Sequence, residues 1–65
     1  MPVVTVQMLS GRSEDQKRNL VKAMTDAMVT HCGVAADSVW VIVNEVEREN
    51  WASGGVTMAD KAKAS

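Results

Sequence analysis

From Val3 to Leu9 the chain reads VVTVQML, a β-branched run that sets Val4, Val6 and Met8 on one face and Val3, Thr5, Gln7 and Leu9 on the other. This alternation predicts a strand. Ser10-Gly11-Arg12 interrupts it. Ser13 followed three residues later by Gln16 fits a capping box, and Glu14 and Asp15 place negative charge in the first turn, where the helix dipole favours it. The pattern then changes to a helical period, with an apolar stripe of Leu20, Val21, Met24, Ala27 and Met28, flanked by Lys17 and His31 at the same spacing. Arg18, Lys22, Thr25 and Asp26 fall on the opposite side. Gly33 supplies a left-handed stop, and a second apolar run from Ser38 to Val46 predicts a second strand, VWVIVNEV.

A long helix between two strands implies parallel pairing through a right-handed β-α-β crossover. Because Val39 to Val43 is apolar on both faces, both faces need cover, and one helix can cover only one of them. The expected fold is therefore an α/β unit of one domain, residues 1–65, with its second sheet face reserved for a neighbouring subunit. Beyond Val46 the composition turns charged and small, which predicts a loop or turn through Gly54-Gly55 ahead of a very short C-terminal hairpin strand at Val56-Thr57-Met58. The alanine-rich tail, residues 59–65, is expected to be loosely ordered or docked on a partner.

Size strengthens the case for assembly. A domain of 65 residues buries too small a fraction of its surface to be comfortably stable alone. One cysteine, Cys32, cannot close an intrachain disulfide, and one histidine, His31, adds little to a metal ligand set. Oligomerisation is the remaining aid. The apolar share of 46% includes only two aromatics, Trp40 and Trp51, so the packing must come from Val, Met, Ala, Leu and Ile.

Seven basic and eight acidic side chains leave a net charge of −1 without a basic run, which argues against a nucleic-acid partner. No apolar stretch approaches the roughly 20 residues needed to span a bilayer, and the start of the chain lacks the pattern of a secretory signal. A soluble, cytoplasmic protein is expected, and a lone thiol agrees with a reducing compartment.

No phosphate loop, metal-ligand spacing or nucleophile elbow is present, and Gly54-Gly55 reads as a turn rather than an anion cradle. The unusual feature is Pro2, directly after Met1 and immediately before a strand. Removal of Met1 would expose a secondary amine. An α-amine has a reference pKa of about 8, and a low-dielectric site with cations nearby would lower it toward neutrality, where a useful fraction is the free base. His31 reads as a residue near the helix C-terminal carbonyls, Cys32 as a small buried hydrophobe and the methionines beyond Met1 as packing.

Met1-Pro2 before a short apolar strand, Leu9-Ser10-Gly11-Arg12-Ser13 with Gln16-Lys17 in the next helix, Ser38-Val39 opening the second strand, and Glu49-Asn50-Trp51 ahead of Gly54-Gly55 together resemble the 4-oxalocrotonate tautomerase family. The resemblance covers nearly the whole chain. It implies a homohexamer or heterohexamer of dimers with active sites at subunit boundaries. It also implies a cofactor-free isomerase in which Pro2 carries a proton between the oxygen of an enol and a carbon of a small unsaturated 2-oxo acid. By the same resemblance Arg12 binds the substrate carboxylate and stabilises developing charge, Trp51 walls the pocket, Ser38 lies near the carboxylate and Leu9 offers a backbone N–H.

One position departs from the pattern. Family members acting on dicarboxylate dienols usually carry a second arginine in the second strand, and here that position is Trp40. Losing such a charge-assisted bond costs on the order of 1.5 to 3 kcal/mol. Three readings stand: Trp40 walls a pocket for a bulkier or less charged substrate, it fills an interface, or Arg48 approaches from the following loop and replaces the missing charge. The departure also motivates the alternative of a non-catalytic subunit of a hetero-oligomer; a related hydratase, dehalogenase or decarboxylase activity is a further alternative, because the same base and cation serve several such steps.

Overall fold

The computed structural model describes residues 1–64. Strand β1, Val3–Leu9, leads into helix α1, Glu14–Cys32, and a single 3-10 turn at Ala36–Ser38 delivers the chain to strand β2, Trp40–Val46. The two strands pair in parallel in the register Val3 with Trp40, Thr5 with Ile42 and Leu9 with Val46. The β-α-β reading of the sequence therefore holds. Its second strand starts two residues later than the apolar run, because Ser38 N–H and its hydroxyl both donate to the Ala35 carbonyl, at 3.0 and 2.7 Å, and curl the chain into the turn.

The ends of α1 are built as expected. Ser13 Oγ accepts from the Gln16 N–H at 3.1 Å while Gln16 Oε1 accepts from the Ser13 N–H at 2.9 Å, which closes the capping box. At the other end Gly33 adopts φ 67°, and its N–H donates to the Val29 carbonyl at 3.1 Å. The inward stripe is half-buried at Lys17, Leu20, Val21, Met24 and Met28. Here three expected positions change. Thr25 is half-buried, its hydroxyl donating to the Val21 carbonyl at 3.0 Å, whereas Ala27 and His31 are exposed. Cys32 is exposed too, not the buried hydrophobe the sequence implied.

The C-terminal part is richer than its sequence pattern indicated. A 3-10 turn at Arg48–Asn50 precedes a hairpin of β3, Ala52–Ser53, and β4, Val56–Thr57, paired antiparallel. Gly54 and Gly55, at φ 62° and 82°, form the two-residue turn between them, a geometry that needs positive φ at both positions. Met58, expected in the strand, starts helix α2, Met58–Ala64, which occupies the stretch expected to be loosely ordered or docked. Thr57 Oγ1 caps it by accepting from the Asp60 N–H at 3.1 Å. Ser65, the last residue of that stretch, lies outside the described residues.

Helix α1 covers the sheet face that carries Val4, Val6, Met8, Val41 and Val43, all half-buried. On the other face Val3, Trp40 and Ile42 remain 56%, 55% and 45% exposed. Among the described residues none is fully buried. The hairpin and α2 pack chiefly against the Arg48–Asn50 turn and one another. The chain extends over 46 × 24 × 14 Å with a radius of gyration of 15.3 Å, against about 11 Å expected for a compact chain of this length. Among the described residues, no helix is long and apolar enough to cross a membrane.

Candidate active site

Parallel pairing decides where the candidate residues stand. Pro2 precedes β1, and its carbonyl accepts from the Trp40 N–H at 3.0 Å, so Pro2, Trp40 and the Ser38 turn share one end of the sheet. Leu9 closes β1 at the other end, where the Ser10 N–H donates to the Val46 carbonyl at 3.0 Å. Ser10 Oγ also donates to Glu47 Oε2 at 3.0 Å, which ties the chain after β1 to the chain after β2. The strand between the two ends holds seven residues. At about 3.3 Å per residue it sets the Leu9 end, where Arg12 stands, about 20 Å from Pro2, further than a small acid spans.

At the Leu9 end lies a cleft of about 130 Å³ lined by Leu9, Ser10, Gly11, Arg12 and Arg48. Arg12 also borders a neighbouring hollow of about 240 Å³ with Met8, Gln16, Lys17 and Leu20. The charges around these hollows are not equivalent. Lys17 is held by Glu45 at 2.6 Å, both side chains about one-third exposed, and Arg18 by Glu14 and Asp15 at 2.6 and 3.0 Å. Among the described residues neither the Arg12 nor the Arg48 guanidinium has an ion-pair or hydrogen-bond partner. Two free guanidiniums thus flank one small cleft, and their planar forks suit a carboxylate.

The remaining candidates are placed differently. Trp51, half-buried, follows the Arg48–Asn50 turn and accepts at its carbonyl from the Met58 N–H at 2.7 Å, so it belongs to the hairpin and is not among the residues lining the cleft. Ser38 spends its hydroxyl proton on the Ala35 carbonyl and keeps its lone pairs as acceptors. Met1 is 85% exposed, which leaves its bond to Pro2 open to an aminopeptidase. While that bond is intact, the Pro2 nitrogen is a tertiary amide without a basic lone pair. The Ser10–Glu47 tether and the engagement of Lys17 by Glu45 had no local sequence signal, since each joins residues far apart in the chain.

The model of the tautomerase enzyme family matches residues 2–61. The chain belongs to the tautomerase family. Over 60 residues, 92% of this chain and 97% of the relative, it is 38% identical to a 2-hydroxymuconate tautomerase of Bacillus subtilis strain 168. Its backbone matches a 4-oxalocrotonate tautomerase isozyme of Methylibium petroleiphilum with a TM-score of 0.94 at 36% identity, covering 98% of this chain and 100% of that one. A subunit of a heterohexameric 4-oxalocrotonate tautomerase from Chloroflexus aurantiacus J-10-fl matches with a TM-score of 0.86 at 35% identity, over 92% and 97% of the two chains. The protein is thus a 4-oxalocrotonate tautomerase-like isomerase.

In this tautomerase the base candidate and the carboxylate-binding candidate are carried by opposite ends of the same strand. Trp40 stands at the Pro2 end on the uncovered sheet face, and the free arginines stand together at the far end.

Proposed function

We propose that this tautomerase interconverts enol and keto forms of a small unsaturated 2-oxo acid, using the amine of Pro2 as the proton carrier once Met1 has been removed. The free amine takes the proton from the enol oxygen as the conjugated system turns into a ketone. The resulting ammonium returns a proton to a carbon of that system, so Pro2 ends the cycle as it began. Arg12 from another copy holds a carboxylate of the substrate and stabilises the charge that gathers on the acid during transfer. Ser38 and the Leu9 backbone serve as lesser polar contacts, and Trp51 supplies an apolar wall from the hairpin.

The observation that carries this reading is the separation of Pro2 from Arg12 along β1. Together with the uncovered face of Val3, Trp40 and Ile42, it fits a closed assembly of identical chains, a hexamer of three dimers, in which each site draws on more than one copy. Likeness to a 2-hydroxymuconate tautomerase supports the substrate class. The test combines intact mass with an ultraviolet assay on phenylenolpyruvate and 2-hydroxymuconate. Protein lacking Met1 is expected to ketonise at least one of the two faster than buffer, and Pro2→Ala to lose most of that rate while still assembling. Full activity in Pro2→Ala would end the proposal.

Trp40 and the heterohexameric relative favour one second reading, in which this chain is a subunit that needs an arginine-bearing partner. Turnover by an assembly of this chain alone excludes it.

A further inference from the structure

We infer that Arg48 shares with Arg12 the grip on one substrate carboxylate, so that the cleft at the end of β1 is a two-arginine receptor and Arg48 restores the charge that Trp40 does not provide. The inference rests on the reading of Arg12 as the carboxylate-binding residue and extends it to a residue on a different segment. Both arginines line the same cleft with Leu9, Ser10 and Gly11. Both are exposed and lack an acidic partner among the described residues.

Two like charges bordering so small a space repel one another unless an anion lies between them or water screens them. The local carboxylates do not supply that anion. Glu45 is engaged by Lys17 at 2.6 Å and Glu47 accepts from Ser10 Oγ at 3.0 Å, while Glu49 lies in the same 3-10 turn as Arg48 and neutralises neither arginine by contact. The Ser10–Glu47 bond has a second effect. It fastens the residue before Arg48 to the residue two before Arg12, so the two guanidiniums are carried on joined segments and approach an anion already near one another. A carboxylate has four lone-pair sites, enough for both forks. Because Arg12 and Arg48 are borders of one cleft in one chain, both serve a Pro2 that belongs to another copy.

The experiment measures binding of hexa-2,4-dienedioate, a dicarboxylate without an enol, to the assembled protein and to Arg12→Ala, Arg48→Ala, Arg48→Lys and the double Arg12→Ala/Arg48→Ala variant. Sedimentation checks each variant for assembly. Arg48→Ala is expected to weaken the dienedioate about tenfold, as loss of one charge-assisted bond implies, and to raise KM for 2-hydroxymuconate more than it lowers kcat. Arg48→Lys recovers part of the loss, since it keeps the charge without the fork. The double variant loses less than the product of the single losses, because the two arginines act on one group. Uncharged hexa-2,4-dienediamide binds the native protein and Arg48→Ala equally. Native-like dienedioate binding by Arg48→Ala, fully multiplicative losses, or an equal loss for the diamide would each overturn the inference. Binding of the dienedioate involves no proton transfer. A Pro2→Ala protein that still turns over 2-hydroxymuconate while the dienedioate depends on Arg48 would therefore sink the base assignment and leave the receptor standing.

Discussion

At the scale of the residue, function turns on the bond between Met1 and Pro2. A retained Met1 makes Pro2 an amide, so a preparation carrying Met1 is expected to lack proton-transfer activity, and graded mixtures to show activity in proportion to the processed fraction found by intact mass. Because the active form is the free amine, kcat/KM is expected to fall as pH drops below the pKa of the Pro2 amine. A flat profile through that range would place the base elsewhere. The Pro2 and Arg12 candidates were legible because they sit in a dense local pattern, Met1-Pro2 and Gly11-Arg12-Ser13. Arg48 could be named from sequence only as one of three answers to Trp40. Its meeting with Arg12 depends on the register of β1 against β2 and on the Ser10–Glu47 bond, both non-local.

At the scale of the element, strong local chemistry was read correctly and weak chemistry was not. The capping box and Gly33 bound α1 as expected, since each is a local hydrogen-bonding arrangement. Removing it with Ser13→Ala is expected to cost about 1 kcal/mol of stability, and Gly33→Ala, forced to hold φ 67°, about 1 kcal/mol. Both would appear as shifted denaturation midpoints with the activity of the folded fraction retained. Helix α2 was missed although Thr57 and Asp60 carry the spacing of a cap. The signal was masked by Val56-Thr57, which reads as strand and is strand, so the cap residue belongs to both elements. Thr25 misled for a different reason: its hydroxyl is satisfied by the Val21 carbonyl, which lets a polar residue join the half-buried side of α1.

At the scale of the whole molecule, the chain is an incomplete object. It lacks a fully buried residue among those described and is longer and flatter than a compact chain of its length. Its stability is therefore expected to come largely from association, so the unfolding midpoint should rise with protein concentration; a midpoint independent of dilution would show a self-sufficient subunit. Charge on the open face is expected to act in the same direction, with Ile42→Asp lowering the assembled fraction in sedimentation more than any change at exposed Lys22.

The most direct test of the composite site is complementation. Pro2→Ala chains, expected to have lost most activity, and Arg12→Ala chains, expected to be impaired about tenfold or more, are co-expressed at equal levels and the mixed oligomers assayed with 2-hydroxymuconate. If every site takes Pro2 from one copy and Arg12 from another, random mixing restores intact pairs at roughly a quarter of the sites, and activity rises far above the sum of the two variants. If the mixture shows no more than that sum although sedimentation finds mixed oligomers, Pro2 and Arg12 do not meet across copies and the account of the site is wrong.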